Sequence, residues 1–153
     1  MTSTIYSPDS CDLVPQRHNY DCGVAALATV ARIQGKGEAL PYDKCQDLLQ
    51  AQPGSGTDED RLREVSENYL TVQSAGENTY DGGLAIACIW FYETKPTTGS
   101  AHLVVFLGVD ENGDVHYYCP HRDRIVQEEL SGLELRNTAG THNNWTINFE
   151  MPS

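Results

Sequence analysis

Positive charge is scarce in this chain. Ten lysines and arginines stand against 22 aspartates and glutamates, a formal net charge of -12. Nucleic-acid backbones are held by clustered cations, so no nucleic-acid partner is expected. The acidity serves solubility and equally suits a basic protein or peptide partner. Long apolar runs are missing as well: none approaches the ~20 residues that cross a bilayer, and no membrane association is expected. The opening residues Met1 to Pro8 have neither a basic nor an apolar leader region, so the sequence reads as lacking a signal peptide and a cytoplasmic location is expected. The five cysteines are odd in number and include no CxxC pair, which argues for reduced thiols over a disulfide framework. No cofactor and no metal are expected. Neither an internal repeat nor a low-complexity tract is present.

What remains is a hydrophobic content of 39% and a length of 153 residues, enough for one domain spanning 1–153 with its own core. The chain is organised around Gln16 to Gly23 and the apolar run that follows to Ile33. Alanine and leucine favour helix, and apolar residues fill nearly every position, so a mostly buried helix is predicted. Cys22 falls at its N-terminus. There the free N–H groups and the helix dipole favour an anion and are expected to lower the thiol pKa. Gln16 carries a side-chain amide able to donate to an oxyanion formed beside the cysteine. His102 opens an apolar run to Val109 that reads as a buried strand, a suitable place for the general base of a distant cysteine.

These residues, Gln16, then Asp21-Cys22-Gly23 with its small-residue helix, then His102 with its apolar strand and Asp110, resemble the pattern of the C39 peptidases and C39-like papain-fold cysteine proteases. The similarity runs from about Val14 to Pro120. It implies Gln16 in the oxyanion hole, Cys22 as nucleophile and His102 as base. One position departs from the family: an Asp-Pro pair usually orients the histidine, and Cys119-Pro120 stands here instead. A thiol accepts hydrogen bonds weakly and carries no charge while protonated. If Val115 to Cys119 is a strand, Cys119 and His116 lie on opposite faces, and only one of them can address His102. A Cys-His-His arrangement using His116 is the alternative.

The rest of the chain fits an α+β domain of the papain-like type, with N-terminal helices packed on an antiparallel sheet of five or six strands. A second helix is predicted from Pro41 to Gln50, and a third from a capping-box-like Thr57 start to Tyr69. Strands are predicted at Leu70–Ser74, Leu84–Tyr92, His102–Val109 and Val115–Cys119, the last two joined by an Asn112-Gly113 turn. Ile125 to Leu130 reads as either strand or short helix. Trp145 to Phe149 alternates, with Trp145, Ile147 and Phe149 inward. Residues 93–101 form a connection that either lines a substrate groove or merely links strands.

Two functions follow. The first is a cysteine peptidase or isopeptidase acting on a peptide or protein substrate, with a preference for small residues such as glycine before the scissile bond implied by the resemblance. The second is a papain-fold pseudoenzyme that binds a partner protein as inhibitor or adaptor, favoured by loss of the orienting carboxylate.

Overall fold

The computed structural model describes residues 5–52, 57–90, 101–138 and 144–152. Three helices precede a six-stranded sheet: α1 (Cys22–Ile33), α2 (Tyr42–Leu49) and α3 (Glu59–Tyr69). The strands are β1 (Val72–Glu77), β2 (Leu84–Trp90), β3 (Ala101–Val109), β4 (Asp114–Cys119), β5 (Arg124–Glu129) and β6 (Trp145–Phe149), with α4 (Leu130–Thr138) between the last two. They lie in the order β1-β6-β2-β3-β4-β5, every pair antiparallel.

Period-two alternation divides the core between the two faces of this sheet. Ile86 and Cys88 of β2 and Leu103, Val105 and Leu107 of β3 pack with Val24, Leu27 and Val30 of α1. The side chains between them, Ala85, Ala87 and Ile89 with Val104 and Phe106, pack against Leu133 of α4. α1 is therefore the central helix: Gly23 to Ala31 are all buried, as an apolar helix without a polar stripe must be. α2 buries Tyr42, Cys45 and Leu49, spaced i, i+3 and i+7, against it.

The structure differs from the sequence reading in four places. β1 begins at Val72 and continues through Gly76 to Glu77, because β6 pairs along that length and holds a turn-prone sequence extended. Residues 125–130 resolve into β5 followed directly by α4. In β6 Thr146 and Asn148 are buried along with Ile147 and Phe149. That strand is interior to the sheet, between β1 and β2, and Asn148 is satisfied by donating to Ser74 Oγ (2.9 Å) and the Thr79 carbonyl (2.7 Å). The N-cap of α3 is Asp58, which accepts from the Arg61 N–H at 3.2 Å, rather than Thr57. Most of the connection at 93–101 lies outside the described residues.

Candidate active site

Cys22 is the first residue of α1, and Asp21 is its N-cap. The backbone N–H groups of Cys22, Gly23 and Leu103 point at the Cys22 sulfur and favour its thiolate. This places the sulfur against β3 at Leu103. The close approach depends on Gly23. A Cβ there would lie 2.5 Å from Thr57 Oγ1 and 2.9 Å from Leu103 Cδ1, inside contact distance for both. Burial nevertheless outweighs the three N–H groups and pushes the thiol pKa up. The depressed pKa expected at the helix end is thus corrected: desolvation there outweighs the N–H groups that favour the thiolate.

His102 is 5% exposed, paired across the sheet with Ile89. Its Nε2 lies 3.2 Å from Cys119 Sγ. The sheet register explains the meeting. Val105 pairs with Tyr118, so Cys119 sits diagonal to His102 on the same face, within reach of a long side chain. The His121 ring stands edge-on at 6.2 Å between centroids. Burial, with a smaller effect from His121, lowers the His102 pKa to about 3, so the imidazole is neutral at ordinary pH and its protonated form is disfavoured. The Cys119 thiol is itself raised by burial, against the opposing effect of the Arg122 and His121 N–H groups. A carboxylate here would hold an imidazolium; the thiol leaves the ring uncharged.

Gln16 reaches the same corner of the fold by its backbone, whose N–H donates to the Pro120 carbonyl at 3.3 Å. Its Nε2 donates to the His18 carbonyl at 2.9 Å, which uses one of two amide hydrogens. Its Oε1 is buried with no protein partner. His116 stands apart from the group: its Nε2 is 2.9 Å from Asp110 Oδ2. Of the two candidates beside His102, the structure therefore brings Cys119 and not His116 to the ring.

Three neighbours of the site gave no signal in the sequence. Tyr42, in another helix, donates its hydroxyl to Asp21 Oδ2 at 2.9 Å. Thr57 packs on Gly23 and has a buried Oγ1 without a partner. Arg17 lies over the Tyr42 ring at 4.0 Å and bridges Asp43 at 2.7 Å. Each depends on how α1, α2 and the segment before α3 pack, which local pattern does not reveal. Asp21 is legible only as the residue preceding the cysteine.

No protein-family model matches the sequence, and no curated protein does. Two solved structures have the same fold. The peptidase domain of Streptococcus ComA, a bifunctional ABC transporter involved in a quorum-sensing pathway, superposes with a TM-score of 0.64 at 18% identity over 92% of this chain and 98% of that one. A double-glycine-motif protease from an AMS/PCAT transporter, solved with its leader peptide, gives a TM-score of 0.57 at 14% identity over 99% of this chain and 94% of its own. Helices packed on an antiparallel sheet in this arrangement make the chain an α+β protein with the papain-like fold of the C39 double-glycine peptidase domains.

Proposed function

We propose that the chain is a papain-like cysteine peptidase or isopeptidase that hydrolyses a peptide bond after small residues such as glycine. What supports this reading is the placement of Cys22 at the N-terminus of α1, against β3, in a fold shared with double-glycine peptidase domains. The Cys22 sulfur lies against the Leu103 N–H, and His102, the residue before Leu103 in the chain, is anchored on Cys119 at 3.2 Å. Cys22 Sγ attacks the substrate carbonyl carbon while its proton passes to neutral His102. The carbonyl electron pair moves to oxygen, where the Cys22 N–H and the second hydrogen of Gln16 Nε2 stabilise it. Collapse of the adduct breaks the C–N bond, and His102 delivers its proton to the leaving amine. Water, deprotonated by His102, then hydrolyses the thioester. The glycine preference draws on the likeness to double-glycine proteases, and reduced thiols fit a cytoplasmic setting.

A peptide-library screen with wild type beside Cys22→Ala tests the proposal. Cleavage confined to wild type and enriched after glycine is the expected result; cleavage that survives Cys22→Ala removes the nucleophile. A second reading, a papain-fold inhibitor or adaptor with little turnover, is favoured by a specific feature. Cys119 supplies no charge to hold His102 protonated, and Cys22 rests as a thiol. Under that reading no peptide in the library is cut, while a partner protein binds wild type and Cys22→Ala alike.

A further inference from the structure

An aspartate at an N-cap ordinarily turns its carboxylate onto the first free N–H groups of its helix. Asp21 does not: it makes no side-chain cap bond to α1. Its carboxylate is wholly buried and turned aside, with Oδ2 accepting from the Tyr42 hydroxyl at 2.9 Å and from His18 Nδ1 at 2.7 Å. Oδ1 is buried with no protein partner, so the orientation forgoes a hydrogen bond that capping would supply. Two consequences meet at Cys22. The N–H groups of Cys22 and Gly23 stay directed at the reacting sulfur. The segment before the helix is also clamped residue by residue. The Arg17 N–H donates to the Tyr42 hydroxyl at 3.0 Å, His18 is held by Asp21, and the His18 carbonyl in turn accepts from Gln16 Nε2 at 2.9 Å.

We infer that Tyr42 and Asp21 are positioning residues: the Tyr42 hydroxyl holds the Asp21 carboxylate off the α1 N-terminus, and through His18 the pair fixes the orientation of the Gln16 amide. This rests on the peptidase reading for its catalytic meaning. Its structural content, a Tyr42-to-Gln16 relay, stands apart from turnover. With one amide hydrogen on the His18 carbonyl, the plane of the Gln16 amide is set, and a single N–H remains for an oxyanion. Loss of the Tyr42 hydroxyl leaves Asp21 free to rotate onto the helix end. It would then occupy the N–H groups with a competing carboxylate and release His18 and Gln16.

Tyr42→Phe is the informative variant, because the ring that packs in the core and under Arg17 is kept. Two readouts are needed. In the amide spectrum of labelled protein, the Gln16 side-chain pair is assigned by its loss in Gln16→Ala. In Tyr42→Phe that pair is expected to move toward the position of a free glutamine amide. An unmoved Gln16 pair overturns the relay whether or not the protein cleaves anything. On the peptide found by the library screen, Tyr42→Phe is expected to lower kcat about tenfold with KM within twofold. Added to Gln16→Ala it should cost nothing further, since both act through one donor. Losses that multiply in the double variant overturn the proposal and leave Tyr42 a packing residue. Asp21→Asn, which keeps one accepting oxygen for Tyr42 and His18, is expected to retain more turnover than Asp21→Ala. Equal loss in both counts against the relay. Failure of the peptidase reading is separately visible, because it abolishes cleavage in wild type while leaving the Gln16 spectrum to decide the relay.

Discussion

His102 Nε2 at the start of β3 and Cys119 Sγ at the end of β4 lie 3.2 Å apart, both buried. The ring is oriented but not charged by this contact, and burial holds its pKa near 3. A carboxylate at the same position would stabilise the imidazolium, an effect of ~1–3 pKa units for an adjacent opposite charge. Cys119→Asp is therefore expected to raise the His102 titration midpoint by about 2 units and to increase kcat about tenfold. NMR titration of the His102 ring protons checks the first, and peptide turnover the second. Cys119→Ser, similar in size and uncharged, should leave the midpoint low. A midpoint in Cys119→Asp unchanged from wild type would mean that the two side chains do not interact.

The same buried imidazole has a signature in stability. The folded-state pKa of about 3 lies below the ordinary unfolded value, so at intermediate pH the unfolded chain binds the extra proton. Stability from this group is complete above the unfolded pKa of ~6.5 and is lost as pH falls toward the folded value. Between pH 7 and pH 4.5 the loss attributable to His102 should reach about 2–3 kcal/mol. Urea unfolding of wild type and His102→Gln across that interval measures it as the difference between the two curves. Parallel curves would show that the ring is hydrated in the folded protein.

Cys22 should behave as a slow thiol in the free protein. Burial raises its pKa despite three N–H groups aimed at the sulfur, whereas Cys11 is exposed and near the chain's start. Alkylation with iodoacetamide at pH 7 is expected to label Cys11 first, as mapped by peptide mass. The Cys22 rate should climb with a midpoint above the ~8.5 of a free thiol. Cys45 and Cys88, each buried and pushed up to about 12, should label only on unfolding. A Cys22 midpoint well below that of a free thiol would restore the depressed pKa that the helix end alone suggests.

Where pattern is local, the sequence was sufficient. α1 is apolar at every turn, α2 repeats Tyr42, Cys45 and Leu49, and β3 is an unbroken apolar run, so their class and order are visible without coordinates. α4 was not: Gly132, Asn137 and Thr138 disfavour helix, and what holds it is tertiary packing, Leu133 buried in the cluster on β2 with Leu130 partly buried against it. Parity along β4 set Cys119 and His116 on opposite faces, but only the register with β3 decides which of them meets His102. The raised pKa of Cys22 is hidden from the sequence for a similar reason. Dipole and N–H groups follow from position in the helix, whereas desolvation depends on β3 and on Thr57, which arrive from elsewhere in the chain.

Gly23 is the narrowest point in the site's construction. Its missing Cβ lets Thr57 and Leu103 close on the α1 N-terminus, with the nearest atoms 2.5, 2.8 and 2.9 Å from where a methyl would stand. All three are side-chain atoms, so the chain can yield, but Thr57 Oγ1 and Leu103 Cδ1 bracket the position and both must move. Gly23→Ala gains helix propensity of up to ~1 kcal/mol and loses more than that to overpacking, which typically costs ~1–3 kcal/mol. Net destabilisation by about 1 kcal/mol is expected, read as a lower urea midpoint at unchanged slope. Turnover should suffer more than stability, because the methyl pushes Cys22 away from β3 and small displacements of a nucleophile are costly. Thr57→Gly removes two of the three obstructing atoms, and in combination with Gly23→Ala should recover most of the lost stability, a coupling of opposite sign to simple addition. If Gly23→Ala alone proves as stable as wild type, the approach of Thr57 to the helix end is looser than these distances describe.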